Sequence, residues 1–444
     1  MFVYAGTMWP YYPELLSRPV PRYTSYPTAA EFHGGVGAKA YVQALDAIAP
    51  GTPLSLYVHI PFCKMICWYC GCNTGAASKA QRLAAYLDAL ETELTLVAKR
   101  IGGRGSVKRI AFGGGSPNAL STVEFVRLLD RIITVFAAGQ PEISIEIDPR
   151  GFTSEWALVL AASNVSRVSL GVQTFAPHVQ EAIGRIQPLS LIENCVSALR
   201  MRGIDAINFD LMYGLPNQSL ADLGDSIEQA IRLRPTRVAL FGYAHLPNMI
   251  PRQRRIDGSI LPDANLRFQQ SALGYDLLTS AGYMPIGFDH FALPEDPLAI
   301  AAKSGKVRRN FQGFTEDCND NLLGFGASSI SMLPGLLVQN EKNVGPYRDH
   351  LNAGTLPTVR GFIPDANDIE HSRWIERLLC EGSVELGSDA ETRRALQPFE
   401  DRGLTKWRGN ILYIEDSGRP YARCIAATFD RFRTPDKGQA SQAI

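Results

Sequence analysis

The sequence predicts an α/β fold in which parallel strands carry functional groups at one edge of a sheet. From residue 54 onward, short runs rich in β-branched residues alternate with amphipathic stretches at helical spacing, which is typical of repeated βα units. Polar and glycine-rich segments follow several of these runs, where the carboxyl ends of parallel strands would meet. With 444 residues, the chain is long enough for a large catalytic domain and a second unit.

Six βα units can be counted along the chain. The predicted strands cover residues 54–60, 107–112, 142–148, 167–173, 206–213 and 237–243. The predicted helices cover residues 83–97, 121–136, 154–163, 189–202, 219–233 and 264–281, and a short strand is expected at 283–288. Ser121 and Glu124 have the spacing of a capping box at the start of the second helix.

The pattern divides the chain into three parts. Residues 1–50 form an N-terminal arm, in which the prolines of segment 21–28 exclude a helix. Residues 51–360 form the barrel domain, which trails into an irregular segment rich in Pro and Gly from about residue 292. Residues 361–444 form a small, mainly helical domain with helices at 369–380 and 391–404 and a β-like run at 411–414.

Composition restricts the possible partners. Lys plus Arg and Asp plus Glu both total 44, so the chain has no net charge that would favour binding to nucleic acid or to a membrane surface. Because no secretory signal or membrane-spanning run is seen, we expect a cytoplasmic protein. The chain has 8 cysteines, of which four lie within residues 63–72, and the other four are scattered as buried apolar residues usually are.

Cys63, Cys67 and Cys70 form a C-x-x-x-C-x-x-C motif directly after the first predicted strand. Three thiolates on one loop can bind three irons of a [4Fe–4S] cluster, because such clusters normally take one Cys per iron. The fourth iron is then open to the amino and carboxylate groups of a methionine-type ligand. A structural zinc site is the alternative, but zinc loops usually need a second Cys pair, and none follows.

This motif, with the aromatic Tyr69 before its third cysteine, resembles the cluster loop of the radical S-adenosylmethionine (SAM) superfamily. Within it, segments 21–28, 59–73, 309–315 and 418–430 resemble the oxygen-independent coproporphyrinogen III oxidases. The resemblance implies an incomplete (β/α)6 radical SAM barrel and two cofactors, a [4Fe–4S] cluster and SAM. It also implies anaerobic decarboxylation of two propionates of coproporphyrinogen III to vinyl groups by a 5′-deoxyadenosyl radical, which gives protoporphyrinogen IX for haem synthesis.

Two features of the predicted cofactor site also follow from the residues themselves. Glycines 113–115 after the second strand let backbone groups approach a ligand, although a tight turn is an alternative. Glu146 is a carboxylate inside an apolar strand, and a buried carboxylate needs partners such as ribose hydroxyls, unless it faces solvent at the strand end.

Further roles are implied by the resemblance alone. It places SAM contacts at Tyr57, Tyr69, Gly114, Gly115, Ser116, Glu146, Gln173, Arg185, Asp210, Ala244 and Ile330. Gln173, Arg185, Asp210 and Ala244, with Gly115 and Ser116, match a second SAM site, although each could also make structural hydrogen bonds.

The expected catalytic residues are Tyr57, Cys72, Phe311 and Gln312, and Arg22 is expected to meet a substrate carboxylate. Cys72 should face the cofactor pocket without binding iron, although a packing or turn role is the alternative. The expected partners are coproporphyrinogen III and a one-electron donor such as flavodoxin or ferredoxin, with a monomeric chain and no nucleic acid or membrane. Two other functions stay open, a haem chaperone of the same superfamily and a SAM-dependent haem-degrading methyltransferase, and segment 21–28 and Cys72 argue against the chaperone.

Overall fold

The computed structural model describes residues 9–77, 80–387 and 390–433. The strands are β1 Thr52–Ile60, β2 Phe62–Cys63, β3 Gly75–Ala76, β4 Gly105–Gly114, β5 Glu142–Ile147, β6 Val165–Gln173, β7 Ala206–Tyr213, β8 Arg237–Gly242, β9 Met284–Ile286, β10 His290–Ala292, β11 Arg308–Asn310, β12 Gly313–Thr315, β13 Leu322–Phe325, β14 Ile330–Leu333, β15 Leu336–Asn340, β16 Thr358–Phe362, β17 Ser383–Glu385, β18 Thr405–Arg408 and β19 Ile411–Ile414.

The α-helices are α1 Pro13–Leu16, α2 Ala38–Asp46, α3 Ala80–Ile101, α4 Thr122–Phe136, α5 Ser154–Ala162, α6 Pro177–Ala182, α7 Leu189–Arg200, α8 Leu220–Leu233, α9 Ala264–Ser280, α10 Pro297–Lys303, α11 Val344–Asn352, α12 Ala366–Glu381, α13 Ala390–Glu400 and α14 Ala422–Ala426. Short 3₁₀ turns lie at Pro117–Ala119, Pro149–Gly151, Pro251–Arg255, Gly258–Ile260, Asp416–Tyr421 and Ala427–Phe429.

A single large sheet organises the described residues. It has 12 strands in the order β16-β15-β14-β13-β1-β4-β5-β6-β7-β8-β10-β9. The central strands β1, β4, β5, β6, β7 and β8 pair in parallel, each with the next. The six predicted βα units and the α/β barrel are therefore confirmed. All parallel strands end at one edge of the sheet, and this edge carries the site described below.

The local sequence explains why these elements form. β1 is buried along residues 54–60, as a strand covered on both faces must be. Ser121 and Glu124 exchange side-chain and backbone hydrogen bonds at the start of α4, so the predicted capping box is confirmed. The rings of Phe112 on β4 and Phe125 on α4 pack edge to face, with 5.2 Å between their centroids. Such contacts join the outer helices to the barrel wall.

The segment after residue 292, expected to be irregular, instead contains β11–β16 with α10 and α11. β13 pairs in parallel with β1, and β14, β15 and β16 extend the sheet in antiparallel order. The prediction was wrong because Pro and Gly mark turns between very short strands. Leu333 pairs with Leu336 across a two-residue turn in which Gly335 has a φ of 74°.

The N-terminal arm packs against the C-terminal part of the chain. The hydroxyl of Tyr421 accepts a hydrogen bond from the Tyr12 N–H at 2.8 Å and donates one to the Pro10 carbonyl at 2.7 Å. Tyr23 donates to the Asp430 carboxylate at 2.9 Å. The arm therefore lies fixed on the body of the protein rather than loose on its surface.

The C-terminal part is helical, through α12, α13 and α14, but it also holds a three-stranded sheet in the order β17-β19-β18. β19 matches the predicted β-like run, whereas β17 and β18 were not predicted. The predicted boundary at residue 360 falls inside β16, which pairs with β15 of the main sheet. The division into three domains stays a prediction, and residues 1–8 and 434–444 at its ends lie outside the described residues. None of the described helices combines the length and the apolar character needed to cross a bilayer.

Candidate active site

A cavity of about 1320 Å³ opens at the carboxyl ends of the parallel strands. Its wall has three sources: the barrel strands and the cysteine loop, the N-terminal arm from Arg18 to Arg22, and the C-terminal residues Asp430, Phe432 and Arg433. Cavities that bind small molecules usually measure about 300 to 1,000 Å³, so this one has room for more than one ligand. The two ends of the described chain thus meet over one site.

The cysteine loop is held by backbone hydrogen bonds on both sides. β2 pairs with β3, and the Cys63 carbonyl accepts the Ala77 N–H at 2.9 Å. The Trp68 N–H donates to the Ile183 carbonyl at 3.0 Å, and the Gln253 amide donates to the Tyr69 carbonyl at 2.8 Å. These contacts hold Cys63, Cys67 and Cys70 on the cavity wall.

Two buried guanidinium groups point at the Cys67 sulfur. Arg150 Nη2 lies 3.1 Å and Arg185 Nη1 lies 3.2 Å from Sγ. Asp148 lies between the two arginines, with Oδ2 at 2.6 Å from Arg150 and Oδ1 at 3.3 Å from Arg185. Although burial acts to raise it, the pKa of Asp148 is lowered overall by the neighbouring arginines. The two guanidinium groups thus place positive charge beside the Cys67 sulfur.

The other thiols differ in their surroundings. Burial raises the pKa of Cys63 to about 11, although a hydrogen bond with Thr74 acts to lower it. A side-chain hydrogen bond with Cys72 lowers the pKa of Cys70 to about 6. The Cys72 N–H also donates to Cys70 Sγ at 3.4 Å. Cys72 itself is exposed to the cavity.

The donor set fits a [4Fe–4S] cluster. Soft thiolates suit iron, and each binds a separate iron of the cluster, so they need not converge on one point. Within residues 9–77, 80–387 and 390–433, no three His, Cys, Asp or Glu side chains are close enough to hold a single metal ion. The arginines at Cys67 add positive charge where an anionic cluster would need it.

Glycines 113–115 form a narrow cradle beside the cysteine loop. A Cβ atom at Gly113 would lie 2.7 Å from the Glu146 carboxylate, and one at Gly115 would lie 2.5 Å from Thr74 Oγ1 and 2.6 Å from the Phe62 carbonyl oxygen. Gly114 has a φ of 114°, which an L side chain rarely adopts. The backbone is therefore bare where it lines the cavity, as the approach of a ligand requires.

Glu146 and Asp210 are the carboxylates of the barrel interior that line this cavity. Glu146 accepts the Gly114 N–H at 3.2 Å, and burial together with the charge of Asp210 raises its pKa to about 7. Asp210 accepts hydrogen bonds from Ser169 and Asn208, both at 2.9 Å. Glu146 has few protein partners, which leaves it able to accept hydroxyl groups of a ligand.

The residues predicted for a second SAM also reach the same cavity. Gln173, Arg185, Asp210 and Ala244 all line it, together with Gly115 and Ser116. Gln173 has a φ of 67°, an unusual backbone conformation that is often found at functional sites. Arg185 Nε is buried without a hydrogen-bond partner among the described residues. An unpaired buried donor of this kind suits an anionic ligand group.

Four predicted residues do not line the cavity: Tyr57, Phe311, Gln312 and Ile330. Tyr57 lies on β1, hydrogen-bonds His59 Nδ1 at 3.2 Å and packs edge to face with Phe311 at 4.8 Å between centroids. Gln312 lines a smaller polar cavity of about 300 Å³, which shares Glu146 and Asp210 with the main one. Ile330 begins β14 and is half-buried. Of these residues, only Gln312 reaches a space that Glu146 and Asp210 also line.

Sequence reasoning did not identify Asp148 and Arg150 as part of the site. Asp148 directly follows β5 and is the last residue of the predicted strand 142–148. It stands two residues after Glu146 at the carboxyl end of a parallel strand, so the argument that selected the other strand-end residues applies to it as well. The contact of Arg150 with Cys67 joins elements 83 residues apart, and no local signal indicates it.

Arg22 lies in the wall of the cavity, as the sequence predicts for a residue that binds substrate. Its Nη2 donates to the Gly242 carbonyl at 2.8 Å, and its guanidinium lies 5.8 Å from the centre of the Phe241 ring. Within the described residues, the other guanidinium nitrogens make no hydrogen bond or ion pair, which suits bidentate contact with a carboxylate.

Comparison with known proteins agrees with this geometry. Residues 57–230 match the model of the Radical SAM superfamily. The oxygen-independent coproporphyrinogen III oxidase of Bradyrhizobium diazoefficiens is 40% identical over 437 residues, which cover 96% of this chain and 97% of the relative. The Escherichia coli enzyme of the same description is 36% identical and covers 93% of each chain.

The fold agrees equally well with a solved structure. The coproporphyrinogen III oxidase of Escherichia coli, described as a radical SAM enzyme, superposes with a TM-score of 0.89 at 34% identity, over 96% of this chain and 100% of that one. Since both the sequence and the fold agree over nearly the full length, this chain belongs to the family of oxygen-independent coproporphyrinogen III oxidases, within the radical SAM superfamily.

Proposed function

We propose that this chain catalyses the oxygen-independent oxidative decarboxylation of two propionate side chains of coproporphyrinogen III, which become the vinyl groups of protoporphyrinogen IX in haem biosynthesis. The observation that carries the proposal is that the three motif cysteines and Arg22 face one cavity at the carboxyl ends of the barrel strands. The named relatives, which span almost the whole chain, support the same activity.

The residues of the cavity have separate tasks. Cys63, Cys67 and Cys70 would hold the cluster, while Arg150 and Arg185 offset its negative charge. When bound, the cluster and SAM supply a 5′-deoxyadenosyl radical that takes hydrogen from the β-carbon of a propionate.

The protein's own part is binding and orientation. Glu146 would accept the ribose hydroxyls of SAM, and Arg22 would hold a substrate carboxylate so that the β-carbon faces the radical. Loss of carbon dioxide and of one electron to an acceptor then leaves a vinyl group. A supporting role on the cofactor side of the site is assigned to the predicted residues that do not line the main cavity. These are Tyr57, Phe311, Gln312 and, on β14, Ile330.

Three further proposals concern partners and setting. A reduced one-electron donor such as flavodoxin or ferredoxin would dock where Lys64 and Met65 are exposed beside Cys63. The chain would act as a monomer, since its own arm and C-terminal residues complete the cavity wall. We place the enzyme in the cytoplasm because the free cysteines of the motif must stay reduced to bind iron.

The direct test is anaerobic reconstitution with iron and sulfide, followed by reduction with SAM in the presence and absence of coproporphyrinogen III. We expect vinyl product and 5′-deoxyadenosine to appear together, in a ratio of one 5′-deoxyadenosine or more per vinyl group. Tight haem binding with no vinyl product would instead favour the chaperone, and a methylated or opened haem would favour the methyltransferase.

The glycine cradle gives a test of SAM binding. Gly115→Ala places a methyl group against Thr74 and the Phe62 backbone, so we expect SAM affinity to fall by about tenfold or more, the cost of overpacking a tight site. Gly139→Ala is the matched control, because a Cβ there meets nothing within 4 Å. Equilibrium binding of SAM to both reconstituted variants measures the difference, and equal affinities would contradict the assignment of the cradle.

We also propose that the cavity binds two SAM molecules. Equilibrium dialysis on fully reconstituted protein should saturate at two SAM per chain, and Gln173→Ala should remove the second with little effect on the first. Glu146→Ala should weaken the first while the iron content stays unchanged. Saturation of the unmodified protein at one SAM per chain would exclude the second site.

Cys72 provides a test of which cysteines of the loop bind iron and which have another role in the reaction. Because a fourth thiolate on the cluster would compete with SAM, we expect Cys72→Ser to keep the iron content and the cluster spectrum but to lose most of the vinyl product. Cys63→Ser is the comparison, and it should lose iron. If the Cys72→Ser variant loses as much iron, Cys72 is a ligand and the assignment is wrong.

A further inference from the structure

The hairpin of β11 and β12, which contains segment 309–315, makes a direct contact with the N-terminal arm. Arg309 Nε donates a hydrogen bond to the Arg22 carbonyl at 3.2 Å. The two residues lie 287 positions apart in the sequence. The contact therefore ties the hairpin to the residue that we assign to a carboxylate of the substrate.

The guanidinium group of Arg309 is buried and packs on two aromatic rings. Its central carbon lies 4.2 Å from the centre of the Phe314 ring and 4.7 Å from that of the Phe288 ring. Phe314 is also the residue that pairs with Arg309 across the hairpin. Burial lowers the pKa of Arg309, and the charge of Asp289 acts against this. Aromatic faces attract a cation, so the two rings offset part of the cost of burying it and fix its orientation.

The backbone of Arg309 is held by α12. The Arg309 N–H donates to Glu376 Oε1 at 3.1 Å. The same carboxylate oxygen accepts a hydrogen bond from Arg308 Nε at 2.9 Å. Arg309 is thus fixed both at its backbone and at its guanidinium group, and its Nε can orient the group to which it donates.

The peptide group that receives this hydrogen bond precedes a residue with an unusual conformation. Tyr23 has a φ of 46°, which a bulky side chain rarely adopts. Tyr23 is buried, and its hydroxyl donates to Asp430 at 2.9 Å. The Arg22 carbonyl belongs to the peptide that joins Arg22 to Tyr23, so its orientation sets this φ. A conformation of this kind persists where the surroundings fix it, and the Arg309 hydrogen bond is one of the contacts that do so.

We infer that Arg309 is a positioning residue for Arg22, whose peptide it orients so that the Arg22 guanidinium lies in the wall of the main cavity. This inference rests on the proposed function, in which Arg22 binds a carboxylate of the substrate. A further anchor is the hydrogen bond from Arg22 Nη2 to the Gly242 carbonyl at 2.8 Å. Arg309 is not among the described residues that line the main cavity, so it acts on the substrate through Arg22.

The physical effect is preorganisation. An arginine side chain loses rotamer freedom when it binds a ligand, and this loss weakens binding. If the Arg22 peptide is already held in the orientation that binding requires, part of this loss occurs when the protein folds. Removing the Arg309 hydrogen bond should therefore weaken substrate binding without removing any group that contacts the substrate.

The test compares two neutral replacements of Arg309 on the reconstituted enzyme. The probe is coproporphyrin III, the fluorescent oxidised form of the proposed substrate, and its Kd is measured. Arg309→Met removes the donor, whereas Arg309→Gln keeps an amide N–H at the same number of bonds from Cα as Nε. We expect Arg309→Met to raise the Kd about fivefold, the scale of coupling between residues in contact, and Arg309→Gln to recover most of the affinity. Both variants lose the contacts with the rings, so a merely structural role would weaken binding equally in both.

A double-mutant cycle shows whether the effect passes through Arg22. Arg22→Gln should raise the Kd about tenfold, for the loss of one charge-assisted contact. Adding Arg309→Met should then have no further effect, because the peptide that it orients no longer carries a guanidinium group. Arg308→Met is the matched control on the same strand, since the described contacts of the Arg308 side chain are with Glu376 and Asp320. It should leave the Kd unchanged.

Iron content and SAM affinity report that each variant is folded, and neither should change. If Arg309→Met loses iron, Arg309→Lys takes its place with the same expected rise in Kd. Lysine keeps a cation on the rings but puts a methylene group where Nε stands. Loss of iron in both variants would show that Arg309 supports the fold, and it would overturn the inference.

The remaining outcomes separate the inference from the proposed function. The inference is overturned if Arg309→Met leaves the Kd unchanged, if Arg309→Gln binds as weakly as Arg309→Met, if the effect adds in full to that of Arg22→Gln, or if Arg308→Met binds equally weakly. If Arg22→Gln has no effect although the unmodified enzyme forms vinyl product, the activity stands and the inference fails. If the unmodified enzyme binds no coproporphyrin III and forms no vinyl product, the proposed function fails and the inference fails with it.

Discussion

Charge compensation at the Cys67 sulfur is the constraint on which the rest of the site depends. Thiolates and an anionic cluster cannot lie inside a protein without cations nearby, because an unpaired buried charge is costly. Arg150 in the turn after β5 and Arg185 in the segment after α6 provide that charge. Asp148 forms an ion pair with each of them. The cysteine loop, β5 and the segment after β6 must therefore come together before the site exists.

Much of the fold and of the candidate site could be predicted from the sequence, for identifiable reasons. The parallel strands were found because each is a short run rich in β-branched residues that stands between helical stretches, and β7 matches its predicted range, Ala206–Tyr213. Residues at the strand ends could be assigned to the site because parallel topology brings those ends together. The short strands from β11 to β16 were missed because three to five residues carry too little periodicity. Arg150 was missed because its contact with Cys67 joins segments that are 83 residues apart.

The closure of the cavity by both ends of the described chain affects how the protein is made. Tyr12 meets Tyr421, Tyr23 meets Asp430, and the hydroxyl of Tyr26 accepts the Arg431 N–H at 2.9 Å. During synthesis, the barrel and the cysteine loop leave the ribosome long before residues 421–433 do. These three contacts of the arm therefore form only after residues 421–433 have been made. Until then the cavity wall lacks Asp430, Phe432 and Arg433, so the motif cysteines lie in a wider opening than in the finished fold.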